Sequence, residues 1–206
     1  METATQCDVV LVATPTRLGR VIRWFEREHG DKASVNHAAL VVRAGGIVAP
    51  TAVTAGNPAV IIEANSPRVR SLSLADYARD GYQVAIYRPL NLDAMDRYKI
   101  IEAAIEDVGK RYGYAGIVAD AVDLGLLRGR YVLRRLLPVA RFPRCSHLLA
   151  QWFQAAGYSF GCEPGCATPD DVWDFVRSRP DKYRCVHELG ALSEKKVTTK
   201  VTTAAR

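Results

Sequence analysis
The sequence predicts an α+β fold built as one main domain. Strand signals crowd the stretch up to Pro89 and helix signals fill the stretch after it, an order unlike alternating βα units. The 206 residues are 49% hydrophobic and 24% charged, which suits a single apolar core, and no internal repeat is evident.

The elements follow in order. Asp8 to Ala13, with the run Val9-Val10-Leu11-Val12, reads as a buried strand. Arg17 to His29 reads as a helix, with Leu18, Val21, Ile22 and Phe25 on one face and Gly30 as its stop. Ala38 to Val42 is a second strand. Ala44-Gly45-Gly46 closes it and, with Ile47 to Pro50, reads as a hairpin or irregular loop. Ala52 to Pro58 is a small-residue surface excursion. Val60 to Ala64 is a strand, Val69 to Leu74 another, Leu74 to Ala78 a short helix, and Tyr82 to Tyr87 a strand ending at Pro89. Asp93 caps a helix expected to reach Tyr112. Tyr114 to Leu137 is apolar and arginine-rich, one or two amphipathic helices. A helix follows Pro143, with Leu148, Leu149, Trp152, Phe153 and Ala156 at helical spacing and Gly157 at its end. Thr168 caps a last helix that opens on Pro169 and reaches about Ser178. Residues 1–190 are thus read as the domain and 191–206 as a flexible polar tail, Thr- and Lys-rich from Ser193 to Arg206.

Charge and cysteine count narrow the function classes. The net charge of +6 favours anionic surfaces such as phospholipid or bacterial wall polymer without choosing among them. No glycine-rich phosphate loop, Walker pattern or nucleic-acid motif is present, so neither a cofactor nor a nucleic-acid partner is expected. Met1 to Asp8 lacks a basic signal-peptide start, and no run of about 20 apolar residues offers a transmembrane helix. A cytoplasmic location is the default expectation. Five cysteines are an odd count, so pairing within the chain leaves at least one free.

Cys145 is the nucleophile candidate. Pro143 places it in the first turn of a helix, where the amide dipoles stabilise a thiolate, and Arg144 pushes the same way. A thiol hydrolase also needs an imidazole and a polar group to orient it. Among the four histidines, His29 ends a surface helix, His147 points to another helix face than Cys145, and His187 lies near the C-terminal end. His37 stands at the mouth of a strand, well placed to face a site at a sheet edge. Glu63 closes the next strong apolar strand and reaches His37 if the two strands are neighbours.

These residues, in this order, resemble a known family. Asp8-Val9-Val10-Leu11-Val12, Asn36-His37-Ala38-Ala39-Leu40-Val41, Val60-Ile61-Ile62-Glu63-Ala64, Lys110-Arg111-Tyr112-Gly113-Tyr114, Cys145-Ser146-His147-Leu148 and Thr168-Pro169-Asp170-Asp171 are similar to the circularly permuted branch of the papain-like NlpC-type cysteine peptidases. The resemblance spans roughly residues 7 to 178. It implies a permuted papain-like fold, an antiparallel sheet packed on helices with the nucleophile at a helix N-terminus. It also implies Cys145 as nucleophile, His37 as base and acid, Glu63 as orienting group, and Tyr112 and Ser146 as substrate-binding residues. The chain departs from the family at Cys7, where Gly is usual, at His147, where Glu is usual, and at Gly113, where Asp often follows the tyrosine.

The resulting expectation is a thiol hydrolase of amide bonds, in peptide or peptidoglycan, or of esters. Acyl-lipid substrates enter through the wider superfamily, which includes lecithin-retinol acyltransferase-like enzymes. The alternative is a non-catalytic binding module that uses Arg128, Arg130, Arg134 and Arg135 at a membrane or cell wall. Cys162, Cys166, Cys185 and His187 have metal-ligand chemistry, but their spacing is not a standard zinc pattern. They are read as ordinary loop and core residues, with a Cys162–Cys166 disulfide as a minor option.

Overall fold
β2 (Val9–Ala13) is buried along its whole length because both faces of the sheet it belongs to are covered. The computed structural model describes residues 3–16, 34–47, 57–65, 67–78, 81–111 and 145–188. In it, β2 pairs on one side with β3 (His37–Arg43) and on the other with β7 (Gln83–Pro89). β5 (Val60–Asn65) and β6 (Arg68–Ser73) extend the sheet beyond β3, and β8 (Tyr183–Glu188) beyond β7. The order is β6-β5-β3-β2-β7-β8, antiparallel throughout.

Strand alternation divides the apolar side chains between two cores. Val9, Leu11, Leu40 and Ile62 face a layer of helices with Trp152, Phe153 and Trp173. Val10, Val12, Val41, Ile61 and Ile86 face a second layer that includes Leu74 and Tyr77. The helical layer holds α1 (Ala94–Glu106), α2 (Cys145–Gln154) and α3 (Pro169–Arg177). Asp93 and Asp96 form a capping box on α1, and Thr168 and Asp171 form one on α3, where Pro169 needs no donor. Gly157, at φ +81°, takes the left-handed turn that follows α2.

Several expectations are corrected. Gly45 and Gly46 do not form a hairpin on β3. They make β4, which pairs with β1 (Thr3–Ala4) in a separate two-stranded ribbon. A Cβ on Gly45 would lie 2.4 Å from the Ala59 nitrogen, so only glycine fits. α1 ends at Glu106, not Tyr112, because 109–111 turn back to run beside β6, with Gly109 N–H on the Val69 carbonyl and Val69 N–H on that of Lys110. β8 was not expected at all. The predicted helices at 17–29 and 114–137 and the tail lie outside the described residues. Among the described residues, no helix is long and apolar enough to cross a membrane.

Cys7 sits at φ +67°, a left-handed conformation that glycine adopts at lower cost, which accounts for the usual glycine there. The chain then delivers Asp8, fully buried, to the Arg88 guanidinium, Nε at 2.9 Å and Nη2 at 2.8 Å.

Candidate active site
His37 and Glu63 are brought together by sheet register. Ala39 lies directly opposite Glu63, so His37, two residues earlier on the same side of β3, is the diagonal neighbour of Glu63. The long carboxylate side chain spans that diagonal, and His37 Nε2 lies 2.5 Å from Glu63 Oε2. With Nε2 engaged, Nδ1 is the nitrogen left for the thiol. Cys145, on α2, which packs against both β3 and β5, lies close enough to His37 for each side chain to set the other's charge. An imidazole from early in the chain and a sulfur from late in it thus lie in one neighbourhood. His37 and Cys145 are both buried, and Glu63 is completely so.

The charges of the three groups are set by one another. Burial pushes the Cys145 thiol up, but the His37 charge and hydrogen bond, with the N–H groups of Ala38 and Ser146, bring it below the usual thiol value. Burial disfavours the imidazolium, yet the Cys145 charge and hydrogen bond, then those of Glu63, raise His37 to about 10. Burial likewise works against the Glu63 carboxylate. His37, Tyr77 and Arg70 outweigh it and hold Glu63 down to about 2. The arrangement favours a thiolate–imidazolium pair backed by a carboxylate.

Three partners of Glu63 were not foreseen. Arg70 places Nε at 2.9 Å and Nη2 at 2.8 Å from Oε1, and Asn65 Nδ2 lies 3.2 Å from the same oxygen. The Tyr77 hydroxyl donates to Oε2, with its ring edge-on to His37 at 6.2 Å. Arg70 had a signal: the two residues between Asn65 and Arg68 imply a tight hairpin, which sets Glu63 opposite Arg70. Tyr77 sits at the end of the 3₁₀ turn Leu74–Tyr77, whose placement no local pattern specifies.

The remaining expected residues fall elsewhere. Tyr112 lies outside the described residues. Ser146 offers the site its N–H, while its hydroxyl donates to the Ala167 carbonyl at 2.6 Å in the core, so its side chain is not turned to a substrate. None of the five cysteines, all among the described residues, is joined in a disulfide, which removes the Cys162–Cys166 option. Cys185 and His187 lie on β8 opposite Tyr87 and Ile86. Among the described residues, no three His, Cys, Asp or Glu side chains are grouped to hold a metal ion.

A family model described as a permuted papain-like amidase enzyme, YaeF/YiiX, of the C92 family, matches residues 3–120. The chain belongs to this family. The expected permuted papain-like superfamily is thereby established, and the antiparallel sheet with its three described helices accords with it. Membership in this amidase family makes the chain, at the coarse level, a cysteine peptidase or amidase type of enzyme. The matched stretch contains His37 and Glu63 and stops before Cys145. A crystal structure of the metalloprotein YiiX from Escherichia coli O157:H7 is similar in fold, with a TM-score of 0.53 and 13% sequence identity. The likeness covers 90% of this chain and 97% of that one. No curated protein matches.

Proposed function
We propose that the protein is a thiol hydrolase that cleaves an amide bond of a peptide or of peptidoglycan through Cys145, His37 and Glu63. The observation that carries this reading is the imidazole of His37, held at 2.5 Å by Glu63 and close enough to Cys145 to be electrostatically coupled to its sulfur. Cys145, at the start of α2, attacks the carbonyl carbon as a thiolate. The Ala38 and Ser146 N–H groups that face its sulfur are placed to stabilise the negative oxygen that forms. The tetrahedral intermediate collapses as His37 gives its proton to the departing amine, leaving a thioester on Cys145. Water, deprotonated by His37, then attacks the thioester, releasing the acid and restoring the thiolate and imidazolium. Glu63 keeps the ring in one orientation and offsets its positive charge. Esters, acyl lipids included, would pass through the same thioester, and acyl transfer would follow if another nucleophile replaced water.

Mass spectrometry of the protein mixed with p-nitrophenyl esters and aminoacyl p-nitroanilides tests this. An acyl adduct on Cys145, with release of p-nitrophenol or p-nitroaniline, is expected. Unchanged turnover by a folded Cys145→Ala protein refutes the proposal.

A further inference from the structure
Glu63 is held by more than the imidazole it orients. Oε2 accepts from both His37 and Tyr77, and Oε1 from the Arg70 fork and from Asn65. A carboxylate gripped at both oxygens can neither rotate nor slide along the strand. Tyr77 and Arg70 come from one short stretch, β6 and the 3₁₀ turn after it. Ser73 sets that turn by accepting the Ala75 N–H at 3.1 Å. Arg70 lies on β6 directly opposite Glu63, and Tyr77 follows four residues after the end of that strand.

We propose that Tyr77 and Arg70 are positioning residues of the active site, which lock Glu63 against His37 Nε2 and so keep the thiolate–imidazolium pair formed. The proposal rests on the thiol-hydrolase reading and adds a role for a segment outside the triad. A purely structural role for the two residues would leave the chemistry of Cys145 unchanged in a folded variant. A positioning role changes it in a defined direction. Loss of the Arg70 fork or of the Tyr77 hydroxyl lets Glu63 swing off Nε2 and lets it take up a proton at higher pH. Either event strips the imidazolium of its partner as the solution is acidified. Cys145 then becomes a thiol at higher pH than in the native protein.

The test is the rate of Cys145 alkylation by iodoacetamide against pH, read at that residue by peptide mass spectrometry, for native protein, Tyr77→Phe, Arg70→Met and Arg70→Lys. In Tyr77→Phe and Arg70→Met the acid limb should move up by about one pH unit, a roughly tenfold slower reaction on that limb, with alkaline rates within about twofold of native. Arg70→Lys, which restores the charge without the fork, should recover part of the shift. Arg70 is half exposed, so its replacements carry the test if Tyr77→Phe does not fold. A native low-pH limb with the folded variants superimposed on it, or shifted down, overturns the positioning role and leaves the hydrolase reading standing. An ordinary thiol profile in the native protein removes the hydrolase reading itself.

Discussion

Asp8→Asn is expected to be among the most destabilising single-atom changes in this protein. Asp8 is fully buried and accepts four hydrogen bonds. Oδ1 takes Arg88 Nε at 2.9 Å and Thr5 Oγ1 at 3.1 Å, while Oδ2 takes Arg88 Nη2 and Thr5 N, both at 2.8 Å. An amide has one acceptor oxygen. Whichever way Asn turns, its NH2 group meets an N–H of Arg88, and the Arg88 guanidinium, on a side chain only 18% exposed, loses the carboxylate charge beside it. Removing one partner of a buried pair costs about 3–5 kcal/mol, because the other charge stays buried. With a urea dependence of about 2 kcal/mol/M, the unfolding midpoint should fall by roughly 1.5–2.5 M. Equilibrium unfolding followed by tryptophan fluorescence measures it. Arg88→Met in the same chain should relieve part of the loss, giving a coupling of about 2 kcal/mol in a double-mutant cycle. A midpoint shift below about 0.5 M, or strict additivity, would show that solvent reaches this pair and that the burial argument is wrong.

Other outcomes follow from the same coordinates. Glu63→Gln should slow Cys145 alkylation about tenfold near pH 6, since His37 loses its charged partner. Glu63 is lowered from 4.5 to about 2, so its contribution to folding is complete above pH 4.5 and is lost as the pH falls toward 2. Acid titrations of native and Glu63→Gln proteins should differ in that window and run parallel above it. Cys7, fully buried and pushed up to about 12 chiefly by burial, should stay unlabelled by iodoacetamide at pH 8, while the exposed Cys166 and Cys185 react. Trp152→Phe removes the 2.8 Å bond from Nε1 to Asp107 and opens space between α1 and α2. A loss of about 2–3 kcal/mol in urea unfolding is expected.

What was legible in the sequence follows how local its causes are. β2, β3 and β5 are nearly continuous apolar runs, and sandwiching between two cores requires that pattern. α3 declared its start because Thr168, Pro169 and Asp171 form the cap with their own neighbours. β8 was hidden: Tyr-Arg-Cys-Val-His-Glu buries only Tyr183 and Val186 deeply, and a shift in pairing between Ile86 and Tyr87 breaks its alternation. The β1–β4 ribbon was hidden too, since a two-residue strand of glycine carries no side-chain signal. At the candidate site, the contact of His37 with Glu63 was legible, because both stand at the ends of strong apolar strands that pair as neighbours. Tyr77 was not, because a turn's docking onto a carboxylate fourteen residues earlier depends on the whole sheet.

Five of the six strands of the sheet precede Leu90 in the chain's order, and α2 brings its sulfur 108 residues after His37 and 82 after Glu63. During synthesis, then, an emerging polypeptide possesses its imidazole and carboxylate well before it possesses a nucleophile. Closing so long a loop is among the slower steps of folding. Until that closure, Cys145 lacks the neighbours that lower its proton affinity, so in an unfinished chain it carries only the small ionised fraction of an ordinary thiol.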